Sequence, residues 1–193
     1  MSTLSGALAL ARRGVSVLPL HEPVDAGTPT VSCSCRRGDC TSVAKHPRTG
    51  HGLADASTDP DVIEGWWRRW PSANVGACTG VKFDVLDIDG PQGLCSLAQL
   101  VDAGRVPDVI ATVVTGRSFS WHLYVPATGR GNRAGMLPAI DYRGQNGYVV
   151  APPSLHPTGR RYAWQDIEPV GPAEHRRILE AAHRGLVVTG TAA

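Results

Sequence analysis

The run Phe83-Asp84-Val85-Leu86-Asp87-Ile88-Asp89-Gly90 constrains this chain more than any other stretch. Its apolar and β-branched content reads as a buried strand that stops at a glycine. A strand sends alternate side chains to opposite faces, so Asp87 and Asp89 leave from one face, about 7 Å apart at their Cα atoms. Two carboxylates that close are costly unless a positive group lies between them. A divalent cation is the usual partner, and oxygen ligands favour Mg²⁺ or Mn²⁺. The same spacing also suits a strand that ends in a turn with its acids in solvent, so the pair takes its meaning from what accompanies it.

Other elements follow from local signals. A helix is expected over about 3–13, with Gly14 at its C′ position. A strand follows over 15–20. Residues 21–57 are loop-like, too long for an idle connection and therefore functional or stapled by metal. A second helix is capped by Thr58 or Asp59, has Pro60 in its first turn and stops at Pro71. Its Trp66, Trp67 and Trp70 recur at helical spacing, which makes them core residues rather than a stacking platform for bases. Strands are expected over 74–79, 83–88, 109–115, 121–125, 139–142 and 148–151, with Asn146-Gly147 as a hairpin turn between the last two. Helices over about 92–102 and 172–184 complete an α+β chain.

Composition narrows the setting. At 193 residues with net charge +2, the chain holds one domain or two small modules sharing a core. No apolar run approaches the roughly 20 residues that span a bilayer. The arginines near the N-terminus follow the apolar residues, the reverse of a signal peptide, so a cytoplasmic protein without membrane partners is expected. Of 19 basic residues only Lys45 and Lys82 are lysines. Arginine forks onto phosphate, although paired arginines also arise from codon bias. The 5 cysteines are an odd number and do not read as a disulfide framework. Cys78 and Cys95 read as small buried hydrophobes. Cys33, Cys35 and Cys40 cluster ahead of His46, giving four soft ligands within one loop. That set suits zinc, with free thiols as the alternative and His51 or His21 as other fourth ligands.

The strands at 109–115 and 121–125 form a hairpin around Gly116-Arg117-Ser118-Phe119. Ser120, His122 and Tyr124 then share one face. Hydroxyl, imidazole and guanidinium together suit a triphosphate. Asp141 adds a third carboxylate from a neighbouring strand, with Arg143 on its face. Three carboxylates and two cations are the requirement of two-metal phosphoryl or nucleotidyl transfer.

In this order, Asp-x-Asp, Ser-x-His and a lone Asp resemble the archaeo-eukaryotic primase superfamily. The chain is most similar to the bifunctional DNA primase/polymerase N-terminal domain of plasmids, phages and prophages. The resemblance covers about residues 5–165. It includes Gly14-Val15-Ser16-Val17-Leu18-Pro19-Leu20, Lys45-His46-Pro47, Asp59-Pro60 with Trp66-Trp67, Asn74-Val75-Gly76, Thr79-Gly80, Asp141-Tyr142-Arg143-Gly144 and Tyr148-Val149-Val150-Ala151-Pro152-Pro153-Ser154-Leu155-His156, with Tyr162 and Trp164 beyond. Two positions depart from the family pattern. The turn before His122 is not glycine-rich, and Ala44 stands where glycine commonly precedes the lysine.

The resemblance implies Mg²⁺ or Mn²⁺ ligands at Asp87, Asp89 and Asp141, and phosphate contacts from Ser120 and His122. It makes Lys45, Arg143, Ser154 and His156 further candidates for nucleotide contact. It implies a primase core with an RNA-recognition-like antiparallel sheet packed on a smaller N-terminal α/β module. The expected division is a module over about 1–80 with a Cys-rich loop at 30–51, a catalytic sheet over about 81–165, and a helix and tail over 166–193. The expected partners are a DNA template or primer-template, NTPs or dNTPs, and a separate helicase. A nucleotide- or DNA-binding relative without activity and a metal-dependent nuclease are the alternatives.

Overall fold

The computed structural model describes residues 1–165. The helix expected over 172–184 lies outside them. Helix α1 (Thr3–Arg12) starts at Ser2, whose hydroxyl accepts from the Ser5 N–H at 3.1 Å. It ends where Gly14 turns left-handed at φ +75, a conformation that costs glycine least. Then come β1 (Val17–Leu20), β2 (Pro23–Val24), β3 (Ser32–Cys33) and a short 3₁₀ turn over Gly52–Asp55. Helix α2 (Pro60–Arg69) is capped by Asp59, which accepts from the Asp61 N–H at 2.9 Å. Trp67 is a core residue: it is 3% exposed and donates its indole N–H to Thr3 Oγ1 and the Ala73 carbonyl. Trp66 and Trp70 are partly buried against the same core.

The remaining elements are β4 (Asn74–Cys78), β5 (Asp84–Ile88), α3 (Gly90–Asp102), β6 (Ala111–Val114), β7 (Trp121–Val125), β8 (Arg133–Leu137), β9 (Ile140–Arg143), β10 (Tyr148–Ala151) and β11 (Ala163–Gln165). They form a six-stranded sheet in the order β11-β6-β7-β5-β9-β8 and a three-stranded sheet in the order β1-β4-β10. Every paired strand is antiparallel to its neighbour. Because β5 and β6 both oppose β7, they run the same way, and α3 carries the chain over β7 between them. The α+β expectation holds.

One face of the large sheet is closed by α3. Leu86, Ile88, Leu123 and Ile140 from the strands meet Leu97 there. The opposite face contributes Val85, Val113 and Tyr124 to a larger core built on the small sheet, α1 and α2. Burying a Leu, Ile or Val side chain stabilises the fold by about 1.5–3 kcal/mol, so these two clusters fix which face every strand residue takes. Asp87 therefore faces the small sheet while Leu86 and Ile88 face α3.

Three expectations are corrected here. Asn146-Gly147 does form a turn, with Asn146 at φ +59. It does not make a hairpin, because β9 pairs with β5 and β8 while β10 crosses to pair with β4. The cause is burial: Val149, Val150 and Ala151 are apolar on both faces and belong to the larger core. Strand β8 was not expected. It is an exposed edge bent by Gly135 at φ +59 and a register shift. Cys95 is exposed and Cys78 only partly buried, since Leu94 and Leu97 take the inward positions of α3. Among the described residues no helix is long and apolar enough to cross a membrane.

Candidate active site

The pairing of β5 sets the site. Asp87 lies opposite His122 on β7 and opposite Asp141 on β9. One rung of the sheet thus carries aspartate, aspartate and histidine side by side, all on the face turned to the small sheet. Like charges directly opposite each other destabilise a strand pair. Here Arg143, two residues along β9, places its guanidinium 2.7 Å from Asp141 and 3.6 Å from Asp87. Asp141 also accepts from the Gly135 N–H at 2.7 Å.

Asp89 stands just past the end of β5, at the N-cap of α3. An aspartate there ordinarily accepts from the first backbone N–H groups of its helix. This one makes no such bond. Its half-exposed carboxylate lies 3.6 Å from the Arg117 guanidinium in the β6–β7 turn. The capping position is thus filled by an acid whose charge is left for another use.

Asp87, Asp89 and His122 open onto a cavity of about 360 Å³ between the two sheets. Lys45 and Arg117 bring positive charge to it, and Tyr148 of β10 forms part of the opposite wall. His122 is 5% exposed. Burial holds its pKa below the ordinary value against the opposing pull of Asp87, whose oxygen is 3.4 Å from Nε2. Its Nδ1 is buried without a partner. His156, on the far wall, is pushed down to about 4, first by burial and then by the charges of Lys45 and Arg117. Its Nδ1 accepts from the Thr158 N–H at 3.1 Å, which leaves the ring proton of the neutral form on Nε2. Both histidines are neutral at pH 7, and each can donate one hydrogen bond.

A second cluster sits beside this cavity. The ligand atoms of Cys33, Cys35, Cys40 and His46 all lie within 4.8 Å of one another. His46 Nε2 is 3.4 Å from the Cys33 sulfur and 3.5 Å from the Cys40 sulfur. The short β2–β3 pair presents Cys33, and Arg36 at φ +60 turns the chain between Cys35 and Cys40. His51 is turned outward and pairs with Asp55. His21 stacks on His46 with ring centroids 4.4 Å apart and is not itself part of the cluster. Three thiols and one imidazole at such separations form a set that zinc takes readily. Among the described residues this is the one group of three or more such ligands gathered to that degree. The three aspartates are instead paired with arginines, Asp87 and Asp141 with Arg143 and Asp89 with Arg117.

The profile of the bifunctional DNA primase/polymerase N-terminal domain, Prim-Pol, matches residues 7–176. The chain belongs to this family. A search of curated proteins finds no match. Membership makes DNA primase/polymerase the class of function, with DNA and nucleotides as the substrates.

The Prim-Pol residues expected from sequence fall into two groups. Asp87, Asp89, His122, Arg143, Lys45 and His156 line the cavity, and Asp141 adjoins it through Asp87. Ser120 and Ser154 are not brought to it. Ser120 follows the alternation that points it to the face of His122, but it lies where the chain leaves the turn, and its oxygen accepts from the Gly90 N–H at 3.0 Å. Ser154 accepts from the Val75 N–H at 2.8 Å and ties the segment after β10 to β4. Both hydroxyls are spent on backbone. Two residues escaped sequence reasoning. Asn132 lines the cavity and accepts from the Gly144 N–H at 3.0 Å, with no motif around it to mark it. Asp84, in the same run as Asp87, is fully buried on the α3 side, where it accepts from Thr128 and from the Tyr142 hydroxyl. Alternation alone separates it from Asp87.

Proposed function

We propose that this chain is a template-directed nucleotidyltransferase, a DNA primase or polymerase, working at the cavity between its two sheets. The reading is carried by the single rung Asp141–Asp87–His122, which joins two carboxylates and a neutral imidazole at a cavity with cationic walls. Asp87, Asp89 and Asp141 would hold Mg²⁺ or Mn²⁺. Two of them are like charges on adjacent strands, and the third is a capping acid that does not cap, so the donor set suits a cation. The bound metals supply activation of the attacking 3′-oxygen and stabilisation of the departing pyrophosphate.

The chain's own residues do the rest. His122 donates to the phosphates of the incoming nucleotide through its one ring proton. Lys45 neutralises them from the facing wall and Arg117 from the β6–β7 turn, and His156 donates from beside Thr158. Arg143 pairs with both Asp87 and Asp141 before the substrate arrives. Ser120 and Ser154 hold α3 and the β10 segment in place. The large sheet serves as the RNA-recognition-like core, with the small sheet, α1 and α2 as the module packed on it. The cluster of Cys33, Cys35, Cys40 and His46 would hold one structural zinc, because its loop has little apolar surface to bury.

The test is incorporation of labelled nucleotides on a primer-template and on an unprimed template. Extension or primer synthesis that requires Mg²⁺ or Mn²⁺ supports the reading. Degradation of DNA without added nucleotides assigns the site to a nuclease, and nucleotide binding without incorporation assigns it to a non-catalytic relative.

A further inference from the structure

We infer that the Cys33–Cys35–Cys40–His46 cluster is a positioning element of the nucleotide site, setting the place of Lys45 through the chain between Cys40 and His46. The inference rests on the reading of the cavity as that site and adds a coupling between the two clusters. Ser42, Lys45 and His46 all line the cavity, so a ligand of the cluster and the facing lysine are neighbours in sequence and share one wall. This wall is poorly held by apolar packing. Over residues 21–57 only Cys33 and Ala44 are among the buried hydrophobic residues. Ala44 adopts φ +62, a left-handed conformation that an alanine keeps only where its surroundings over-determine it. Those surroundings begin with the Lys45 N–H, which donates to the Ser42 carbonyl at 3.1 Å. Asn74 donates to the Ala44 carbonyl at 3.2 Å, Tyr148 donates to the Lys45 carbonyl at 3.0 Å, and the His46 carbonyl accepts from His21 at 2.9 Å. On the other side stands the His46 ring in the cluster. Lys45 is itself exposed, and its charge helps to depress the pKa of His156 across the cavity. Its side chain lines the cavity where phosphates would lie, and the candidate ligand next to it would fix the backbone it hangs from.

The experiment measures equilibrium affinity for non-hydrolysable ribo- and deoxynucleoside triphosphates in excess Mg²⁺, with melting temperature recorded on each sample. The wild-type chain and Lys45→Ala are compared, zinc-loaded and after treatment with a zinc-selective chelator. A charge-assisted phosphate contact is worth about tenfold or more in affinity. Zinc removal should weaken wild-type binding by about that factor and change Lys45→Ala by less than about twofold. Equal losses in both, or none in the wild type, overturn the coupling while leaving the site reading intact. Failure of the zinc-loaded wild type to bind either triphosphate overturns the site reading, and the coupling with it. A second arm needs no metal removal: Cys40→His keeps four zinc ligands but shifts the chain before Lys45. It should weaken binding severalfold in the wild type and not in Lys45→Ala, and an equal effect in both overturns the coupling even if the stripped protein unfolds.

Discussion

Asp87→Asn is the substitution that most cleanly separates chemistry from folding in this chain. It keeps the shape of the side chain and removes one charge from the central rung. The stability cost follows from what that charge touches. The His122 ring 3.4 Å away is neutral, and an amide oxygen can still accept from it, so that contact is kept. The substitution loses a 3.6 Å contact with Arg143, whose side chain is 34% exposed, and such partly solvated pairs are worth about 0–1 kcal/mol. It also relieves the repulsion from Asp141 directly opposite, which for like-charged strand pairs is about 0.2–1 kcal/mol. The two nearly cancel. The net change is within about 1 kcal/mol, and for a chain of this size that moves the melting temperature by no more than about 4 °C. The catalytic cost is of another order. If metal-held charge supplies about 4 kcal/mol of transition-state stabilisation, its loss slows incorporation about a thousandfold. Primer extension with Mg²⁺ and with Mn²⁺, beside a thermal melt of the same sample, reads both numbers. Extension within tenfold of wild type would remove Asp87 from the metal site. A melting drop above about 8 °C would make it a structural acid like Asp84.

Three further outcomes are expected. His122→Ala should weaken triphosphate binding about ten- to a hundredfold through the lost phosphate contact, as measured by equilibrium titration. Its melting temperature should move little, because Nδ1 has no partner to strand and the ring borders a cavity that water can fill; a large melting loss with unchanged affinity would refute the phosphate role. Gently purified protein should contain about one zinc per chain, and Cys35→Ser should release it and lower the melting temperature; metal analysis showing no zinc in the wild type would dismiss the cluster as a metal site. His156 titrates near 4 when folded against 6.5 ordinarily, so between those values the unfolded chain binds a proton that the folded chain refuses. Its contribution to stability is complete above about pH 6.5 and is lost as the pH falls towards 4. The melting temperature of His156→Gln should therefore decline less over that window than that of the wild type, and parallel curves would show that His156 is not the group responsible.

The elements that sequence reading captured are those written in local chemistry. Asp59 and Pro60 start α2 where capping rules place it, and the alternation through 83–88 puts Asp87 on the face of His122 and Asp141. That face was legible because the period of a strand is two and both flanks of Asp87 are apolar. What local chemistry does not encode is which strand pairs with which. The Asn146-Gly147 signal specifies a tight turn and nothing about the destination of β10, which is drawn to the small sheet by apolar residues on both its faces. Strand β8 has no alternation to read, since its exposed edge includes Gly135. Ser120 satisfied the alternation rule and still left the site, because its hydroxyl accepts from the Gly90 N–H at the start of α3. The Asp89–Arg117 contact joins residues on two turns and has no sequence period at all.

The cavity has walls from separate sheets, and phosphate chemistry tolerates little looseness between such walls. Two glycines show how the sheets are clamped. A side chain on Gly80 would lie 2.3 Å from the Gln145 Cα, and one on Gly116 would lie 2.1 Å from the His156 Cβ. Both positions are contacts with no room for a methyl group. Thr79, beside the first, donates its hydroxyl to the Gly144 carbonyl at 2.6 Å and its N–H to the Gly147 carbonyl at 2.9 Å. The segments after β4 and β9 are thus locked backbone to backbone, and the β6–β7 turn is seated directly on His156. A backbone clamp has few rotamers to sample, so it sets the distance between His122, Arg117 and His156 before any substrate binds. The wall formed by residues 42–46 is held differently. Side-chain bonds from Asn74 and Tyr148 reach its carbonyls, one backbone bond joins the His21 N–H to the His46 carbonyl, and its far end runs into the Cys₃His cluster. Two walls are fixed by the fold, and the third ends in a set of four candidate ligands. On the coupling inferred above, this third wall, the one bearing Lys45, is where the geometry of the cavity would answer to metal occupancy.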